Sequence, residues 1–302
     1  MNFADRLHAA IERCGNAALI GLDPHLDKLP AEFAVARDAR APRAERAAAM
    51  GDFCCALIDL AEGRIPAVKP QSAFFELLGS DGVEAFERVV GHAHDKGLLV
   101  IGDVKRGDIA STASAYARAM MEDNGGDPKT LCDTVTVNAF LGLESIAPFL
   151  EVCARNDTGI YVLVRTSNPG SAEFQLCGEP TLSERIADAV NRWGADLIGE
   201  CGLSSVGAVV GATHPRDLAA LRERMPKANL LVPGYGAQGG SADDIAAAFL
   251  AGGQGALVNS SRGISFAWQK SGHAEADWRD ASSEAIGKMI EDLRSAAGQT
   301  TA

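Results

Sequence analysis

LLVIGDVKRGDIASTASAYARAMMED, residues 98–123, passes from an apolar run through a charged cluster into a helix-forming stretch. The apolar run is short and rich in branched residues, as in strands buried on both faces of a parallel sheet. The second half is rich in alanine and methionine, which favour helix. The segment therefore predicts one strand and helix of a parallel α/β fold.

The same unit recurs along the whole chain. The predicted strands are AALIGLD (17–23), PAVKP (66–70), LLVIGDVK (98–105), TVTV (134–137), GIYVLVRT (159–166), VGAVVGA (206–212), NLLVPG (229–234) and ALVNSS (256–261). Helix-forming segments follow each of them, among them DFCCALIDLAE, GVEAFERVVGHAHDKG and SADDIAAAFLAG. Eight strand and helix pairs predict a (β/α)8 TIM barrel, with a doubly wound sheet as the alternative.

A single domain is predicted over residues 1–302, because no repeat and no Pro/Gly/Ser-rich linker divides the chain. Residues 25–50 lengthen the connection after the first strand. Their Ala/Arg-rich part, ARDARAPRAERAAAM, predicts a helical insertion. The terminal GQTTA is expected to fray.

Composition limits the class of partner. With 28 basic and 40 acidic residues the net charge is −12, so the average surface repels nucleic acid. An anionic small substrate then needs a local site of positive electrostatic potential on this negatively charged protein. The seven cysteines lack CxxC spacing, which indicates reduced cysteines that serve in packing. The six histidines, His92 and His94 included, are interpreted as surface residues, and no metal site is predicted from them. The N-terminus does not resemble a signal peptide and no apolar stretch has membrane-spanning length, so a cytoplasmic protein without membrane partners is expected.

Charged residues gather where the first three predicted strands end. Asp103 and Lys105 are two residues apart and therefore share one face of a strand. Lys69 ends the second strand and Asp23 the first. Opposite charges about 4 Å apart at an effective dielectric near 20 attract by roughly 4 kcal/mol. Alternating Asp and Lys side chains at the active-site end of a barrel predict a rigid array of charges. Such an array can hold a developing carbanion next to an ammonium group.

A phosphate site is predicted after the last two strands. GYGAQGG, residues 234–240, places glycines ahead of a helix expected near Ser241 and Arg262 follows the eighth strand. Glycines let backbone N–H groups approach a phosphate, and barrels bind phosphate at these two loops. A dinucleotide fold is the alternative, and Arg262 there would suit NADP. Only about forty residues follow Arg262, too few to complete that fold.

Several of these segments resemble one family, the orotidine 5′-monophosphate decarboxylases. Asp103-Val104-Lys105-Arg106-Gly107-Asp108-Ile109 with Thr112 is similar to that family's signature. Gly21-Leu22-Asp23, Val68-Lys69 and PGYGAQGG (233–240) resemble its first two strand ends and its phosphate-gripping loop. The likeness extends from about residue 17 to 266. It implies cofactor-free, metal-free decarboxylation of orotidine 5′-monophosphate (OMP) to UMP, in pyrimidine biosynthesis.

The resemblance also implies roles for individual residues. Lys105 would protonate C6 of the pyrimidine, Asp103 would face the substrate's carboxylate, and Asp23 and Lys69 would orient the ribose hydroxyls and the charge array. The other implied contacts are Asp108, Ile109 and Thr112 in the neighbouring subunit's site, Ser167 at the base edge, and Gln238, Gly239 and Arg262 at the phosphate. Sharing of sites implies a homodimer. Thr166 and Asn168 are alternatives to Ser167.

Three other functions fit a barrel with these residues. Lys69 or Lys105 as a Schiff-base nucleophile would make an aldolase, although Asp103 and Asp108 would keep the ammonium protonated. A metal-dependent sugar-phosphate decarboxylase would share the Asp-x-Lys-x-x-Asp element. A nucleotide-binding sensor barrel would bind UMP without turnover.

Overall fold

Eight parallel strands close into a barrel in which each strand pairs with its sequence neighbours and β8 returns to β1. The computed structural model describes residues 1–236 and 242–298 of the chain. The strands are β1 Ala18–Leu22, β2 Ala67–Pro70, β3 Leu99–Arg106, β4 Thr134–Val137, β5 Gly159–Arg165, β6 Ser204–Val210, β7 Ala228–Val232 and β8 Ala256–Ser260. The predicted TIM barrel is confirmed, and the doubly wound sheet is wrong.

Helices surround the barrel. Those in the described ranges are α1 Phe3–Cys14, α2 Arg43–Ala61, α3 Ser72–Glu76, α4 Gly79–Asp95, α5 Ala110–Met121, α6 Leu143–Asn156, α7 Ala172–Gln175, α8 Leu182–Trp193, α9 Pro215–Arg224, α10 Ala242–Ile245, α11 Arg262–Ser265, α12 Trp268–Ser271 and α13 Trp278–Ala296. None of them is both long and apolar enough for a membrane span.

Two segments differ from simple helix predictions. Residues 25–50 contain two 3₁₀ segments, Leu26–Lys28 and Ala31–Arg37, before α2 begins at Arg43. The helix predicted over 241–252 is wrong beyond Ala248, because the chain turns back toward β8 there. Leu250 N–H donates to the Gln254 carbonyl at 2.8 Å, and Gly252 has a φ of +77°. The tail beyond Gly298 lies outside the described residues.

The core has two layers. Apolar side chains from alternate strand positions, such as Leu19, Ile101 and Tyr161, fill the barrel interior. Phe3 and Leu7 of α1 pack against that interior layer, although no helix was predicted at the N-terminus. Phe3 meets the ring of Tyr161 edge-on with centroids 6.2 Å apart. The helix therefore packs against the apolar filling of the barrel, and the polar chemistry lies toward the carboxyl ends of the strands.

Candidate active site

One buried carboxylate organises the mouth of the barrel. Asp103 accepts a bond from the ammonium group of Lys105 at 2.5 Å and from the hydroxyl of Thr136 at 2.9 Å, both at Oδ1. At Oδ2 it accepts from the Lys69 ammonium at 2.6 Å and from the Gln71 amide at 2.9 Å. Four donors, two of them charged, fix both oxygens, so the carboxylate cannot reorient without losing charge-assisted bonds.

Lys69 is the buried cation of this array. Its side chain is 6% exposed and that of Asp103 8% exposed, so the ion pair lies in a desolvated setting. Burial lowers the pKa of Lys69, but Asp103 and Asp23 outweigh that effect and hold its pKa above the ordinary value. Burial raises the pKa of Asp103, yet Lys69 and Lys105 hold it well below the ordinary range. Lys69 and Asp103 are therefore both charged near neutral pH.

Lys105 combines an exposed side chain with a rare backbone conformation. Its side chain is 47% exposed, so the ammonium faces the open mouth while it bonds to Asp103. Its φ is +44°, in the left-handed region that non-glycine residues rarely adopt. The register between β3 and β4 shifts between Gly102 and Arg106, and the Lys105 N–H donates to Thr136 Oγ1 at 2.9 Å. An irregular strand end thus holds the lysine in place.

Gln71 and Thr136 complete the array and were missed from the sequence. Gln71 carried a usable signal, because it lies two residues after Lys69 and therefore continues the same face of the chain, where it pairs with Asp103. Thr136 shares the buried strand β4 with a second threonine, Thr134, so the sequence pattern does not distinguish it.

Asp23 and Asp108, the remaining predicted residues of the charge array, make no side-chain bond to it within the described residues. Asp23 contributes its charge to Lys69, and its Oδ1 is buried without a hydrogen-bond partner among the described residues. Asp108 accepts a bond from the backbone N–H of Ile109 at 2.8 Å, and no ion pair joins it to Lys105 within the described part of the chain. Ile109 and Thr112 are exposed beside it.

The predicted phosphate end is described in part. Arg262 is exposed at the start of the short helix α11, directly after β8. Gln238 and Gly239, the other predicted phosphate ligands, lie outside the described residues. Gly21 of β1 packs against this end, since a Cβ there would lie 1.9 Å from Ser261 Oγ and 2.8 Å from Asn259 Oδ1. Only glycine fits between β1 and the start of the arginine's loop.

The predicted base end follows β5. Ser167 is half-buried, and its carbonyl accepts a bond from the Thr213 hydroxyl at 3.4 Å. Arg165, at the end of the same strand, is 2% exposed and donates to Asp217 of α9 at 2.9 Å. It also bonds Ser171. The arginine therefore anchors the loop that carries Ser167 to α9.

The histidine interpretation needs one correction. His94 is not a surface residue: its side chain is 22% exposed, and its Nε2 lies 3.0 Å from Oδ2 of the buried Asp133. Arg6 of α1 bonds the other oxygen of Asp133. This triad ties α1 and α4 to the start of β4. No group of three His, Cys, Asp or Glu side chains within residues 1–236 and 242–298 is arranged to hold a metal ion.

Comparison with known proteins agrees with this geometry. Residues 20–276 match the family described as Orotidine 5′-phosphate decarboxylase / HUMPS family. The chain belongs to this family. A curated orotidine 5′-phosphate decarboxylase of Rhodopirellula baltica is 45% identical over 303 residues, covering 97% of this chain and 99% of that relative. One from Deinococcus radiodurans is 48% identical over 214 residues, covering 70% and 76%.

Solved structures of the orotidine 5′-phosphate decarboxylase family share the barrel. The structure of Leishmania donovani OMP decarboxylase has a TM-score of 0.76 and 29% identity, covering 99% of this chain and all of that one. Family membership confirms the resemblance inferred from residues 103–112, 21–23 and 68–69.

Proposed function

We propose that this chain converts OMP to UMP and CO2 by direct decarboxylation in the mouth of the barrel, with Lys105 as the proton donor. The reaction is that of the curated relatives, which match this chain over nearly its whole length. The observation that carries the residue roles is the bonding of one buried carboxylate, Asp103, to two ammonium groups at 2.5 and 2.6 Å.

The array suits a reaction that develops a carbanion. Loss of CO2 from C6 leaves the electron pair of the broken bond on that carbon, and the Lys105 ammonium donates a proton to it. Asp103 faces the substrate's carboxylate, so repulsion between two anions is present in the bound substrate and disappears as neutral CO2 leaves. Lys69 keeps Asp103 ionised, while Asp23 orients the ribose. The fixed charges need little reorganisation during the step.

The phosphate and base ends orient the nucleotide. Arg262 binds the 5′-phosphate together with Gln238 and Gly239, and Ser167 contacts the pyrimidine edge, with Thr166 and Asn168 as alternatives. Arg262 suits the phosphate role because it is exposed at the loop after β8, one of the two loops at which barrels bind phosphate.

A homodimer with shared sites accounts for an apolar surface next to the mouth. Residues on the loops after β3 and β4 and on α5 and α6 expose large apolar side chains: Ile109 48%, Tyr116 37%, Phe140 80%, Leu141 48% and Leu143 52%. Exposed apolar groups gathered in this way are typical of protein interfaces. Asp108 and Thr112 belong to the same surface, and we propose that they complete the partner's site beside its Lys105.

Two observations count against other functions. The raised pKa of Lys69 keeps its amine protonated, whereas a Schiff-base aldolase needs a neutral amine. The curated relatives are named orotidine 5′-phosphate decarboxylase, which favours OMP over a sugar phosphate as the substrate. A sensor barrel would bind UMP and turn nothing over, so activity itself decides that alternative.

Lys105→Ala tests the proposal directly. The variant should bind UMP but decarboxylate OMP at less than about a hundredth of the wild-type rate, because proton donation and charge stabilisation are both lost. Activity is followed as loss of OMP absorbance with EDTA-treated protein. Lys227→Ala, an exposed lysine just before β7, serves as the control and should be fully active. Near wild-type turnover by folded Lys105→Ala would remove Lys105 as the acid.

Subunit mixing tests the shared site. Asp108→Ala and Lys105→Ala homodimers should each be inactive. One of the two sites in a mixed dimer contains both wild-type residues, so random exchange should restore up to about a quarter of wild-type activity. Native mass spectrometry confirms that subunits exchange. No recovery after complete exchange would mean that Asp108 acts within its own chain or has no role.

A further inference from the structure

A second positively charged site lies beside the phosphate end. A cavity of about 680 Å³ lies between the short helices α11 and α12 and the long helix α13, and Arg262 forms part of its wall. Four cations line it, Lys28, Arg262, Lys270 and Lys288, against one acid, Glu284. We call this cavity the cationic groove. Its volume is within the usual range of ligand pockets, about 300–1,000 Å³.

No carboxylate of residues 1–236 or 245–298 neutralises the charges of the cationic groove. None of the four cations has an ion pair with a carboxylate in those two ranges, and Glu284, the acid that lines the groove, lies 3.6 Å from His273. The chain as a whole carries a net charge of −12. Unpaired cations that share a concave surface repel one another, and an anion bound there relieves that repulsion.

Lys28 and Arg262 of the cationic groove both act on His25, in the loop that follows β1. Burial lowers the pKa of His25 and the two cations lower it further, while Asp23 and Asp27 raise it. Arg262 therefore belongs both to the proposed phosphate site and to the groove wall. A phosphate bound at this arginine would lie in the wall of a cavity that Lys270 and Lys288 also line.

We propose that the cationic groove binds the β- and γ-phosphates of a pyrimidine nucleoside di- or triphosphate whose α-phosphate lies at Arg262. The inference rests on the proposed function, which places the product's 5′-phosphate at that arginine. UDP and UTP, the further phosphorylated forms of the product, then compete with OMP for the barrel mouth and bind more tightly than UMP. The enzyme is inhibited by nucleotides made from its own product.

Binding of UMP, UDP and UTP to the intact chain tests the proposal. Calorimetry in EDTA at fixed ionic strength compares the wild type with the double variant Lys270→Ala/Lys288→Ala, which changes two exposed side chains. Wild-type protein should bind UTP about tenfold or more tightly than UMP, since one charge-assisted contact is worth about that factor. The double variant should bind UTP no better than UMP, with its UMP affinity unchanged. Lys227→Ala should keep the full UTP advantage.

Each other result overturns the inference. Equal affinity of the wild type for UTP and UMP, or a UTP advantage that persists in the double variant, would show that the cationic groove does not hold the added phosphates. Tripolyphosphate should bind much more weakly than UTP, and equal binding would make the site one for polyphosphate alone. Failure of UMP to bind at all would instead refute the proposed function, so the two failures are distinguishable.

Discussion

Thr136→Val removes a single hydroxyl that connects the two central residues of the site. The Thr136 hydroxyl donates to Asp103 Oδ1 at 2.9 Å and accepts the backbone N–H of Lys105 at 2.9 Å. The side chain is buried, and valine has nearly the same shape, so the main change is the loss of the hydroxyl and its hydrogen bonds. The substitution therefore isolates the two hydrogen bonds.

The magnitude follows from those two bonds. A bond to a charged group contributes about 1.5–3 kcal/mol and a neutral one about 0.5–1.5 kcal/mol, so the free energy of unfolding should fall by roughly 2–4.5 kcal/mol. Lys105 also loses the partner that holds its backbone at a φ of +44°. If the strand end relaxes by about 1 Å, kcat should fall about 10- to 100-fold.

Thr134→Val is the matched control on the same strand. Thr134 is fully buried two residues earlier, and its hydroxyl has no hydrogen-bond partner in the described structure. Steady-state kinetics and urea unfolding should show unchanged activity and equal or greater stability for this variant. The reasoning is refuted if Thr136→Val keeps kcat within about twofold of the wild type, or if both variants lose equally.

Two further predictions concern the phosphate end and the base of the barrel. Arg262→Ala should weaken OMP and UMP binding by about 1.5–3 kcal/mol but leave the slow reaction of phosphate-free orotidine unchanged; equal losses on both substrates would assign Arg262 to folding. Burial lowers the pKa of His94, but the hydrogen bond and charge of Asp133 outweigh burial, so the pKa of His94 lies above its ordinary value. The stabilisation is therefore complete below the unfolded pKa near 6.5 and is lost as pH rises through the folded value. His94→Gln should cost more unfolding free energy at about pH 6 than at about pH 9, and an equal cost would contradict the assignment.

Sequence alone predicted the barrel because its evidence is local. Each strand is a short branched apolar run, and each is followed by a helix-forming stretch, so eight repeats of the pattern required no knowledge of contacts. The positions of Asp103, Lys105 and Lys69 at strand ends were predicted in the same way. Resemblance to the family then connected those positions to OMP.

Tertiary structure alone decided how the carboxylate is held and which cations share a cavity with Arg262. Gln71 and Thr136 reach Asp103 from positions 32 and 33 residues away along the chain, so no local pattern ties them to it. The left-handed backbone of Lys105 arises from the irregular pairing of β3 with β4. The lysines of the cationic groove come from three separate segments. Contacts of this kind depend on the packing of distant segments, and the closed barrel is what brings them together.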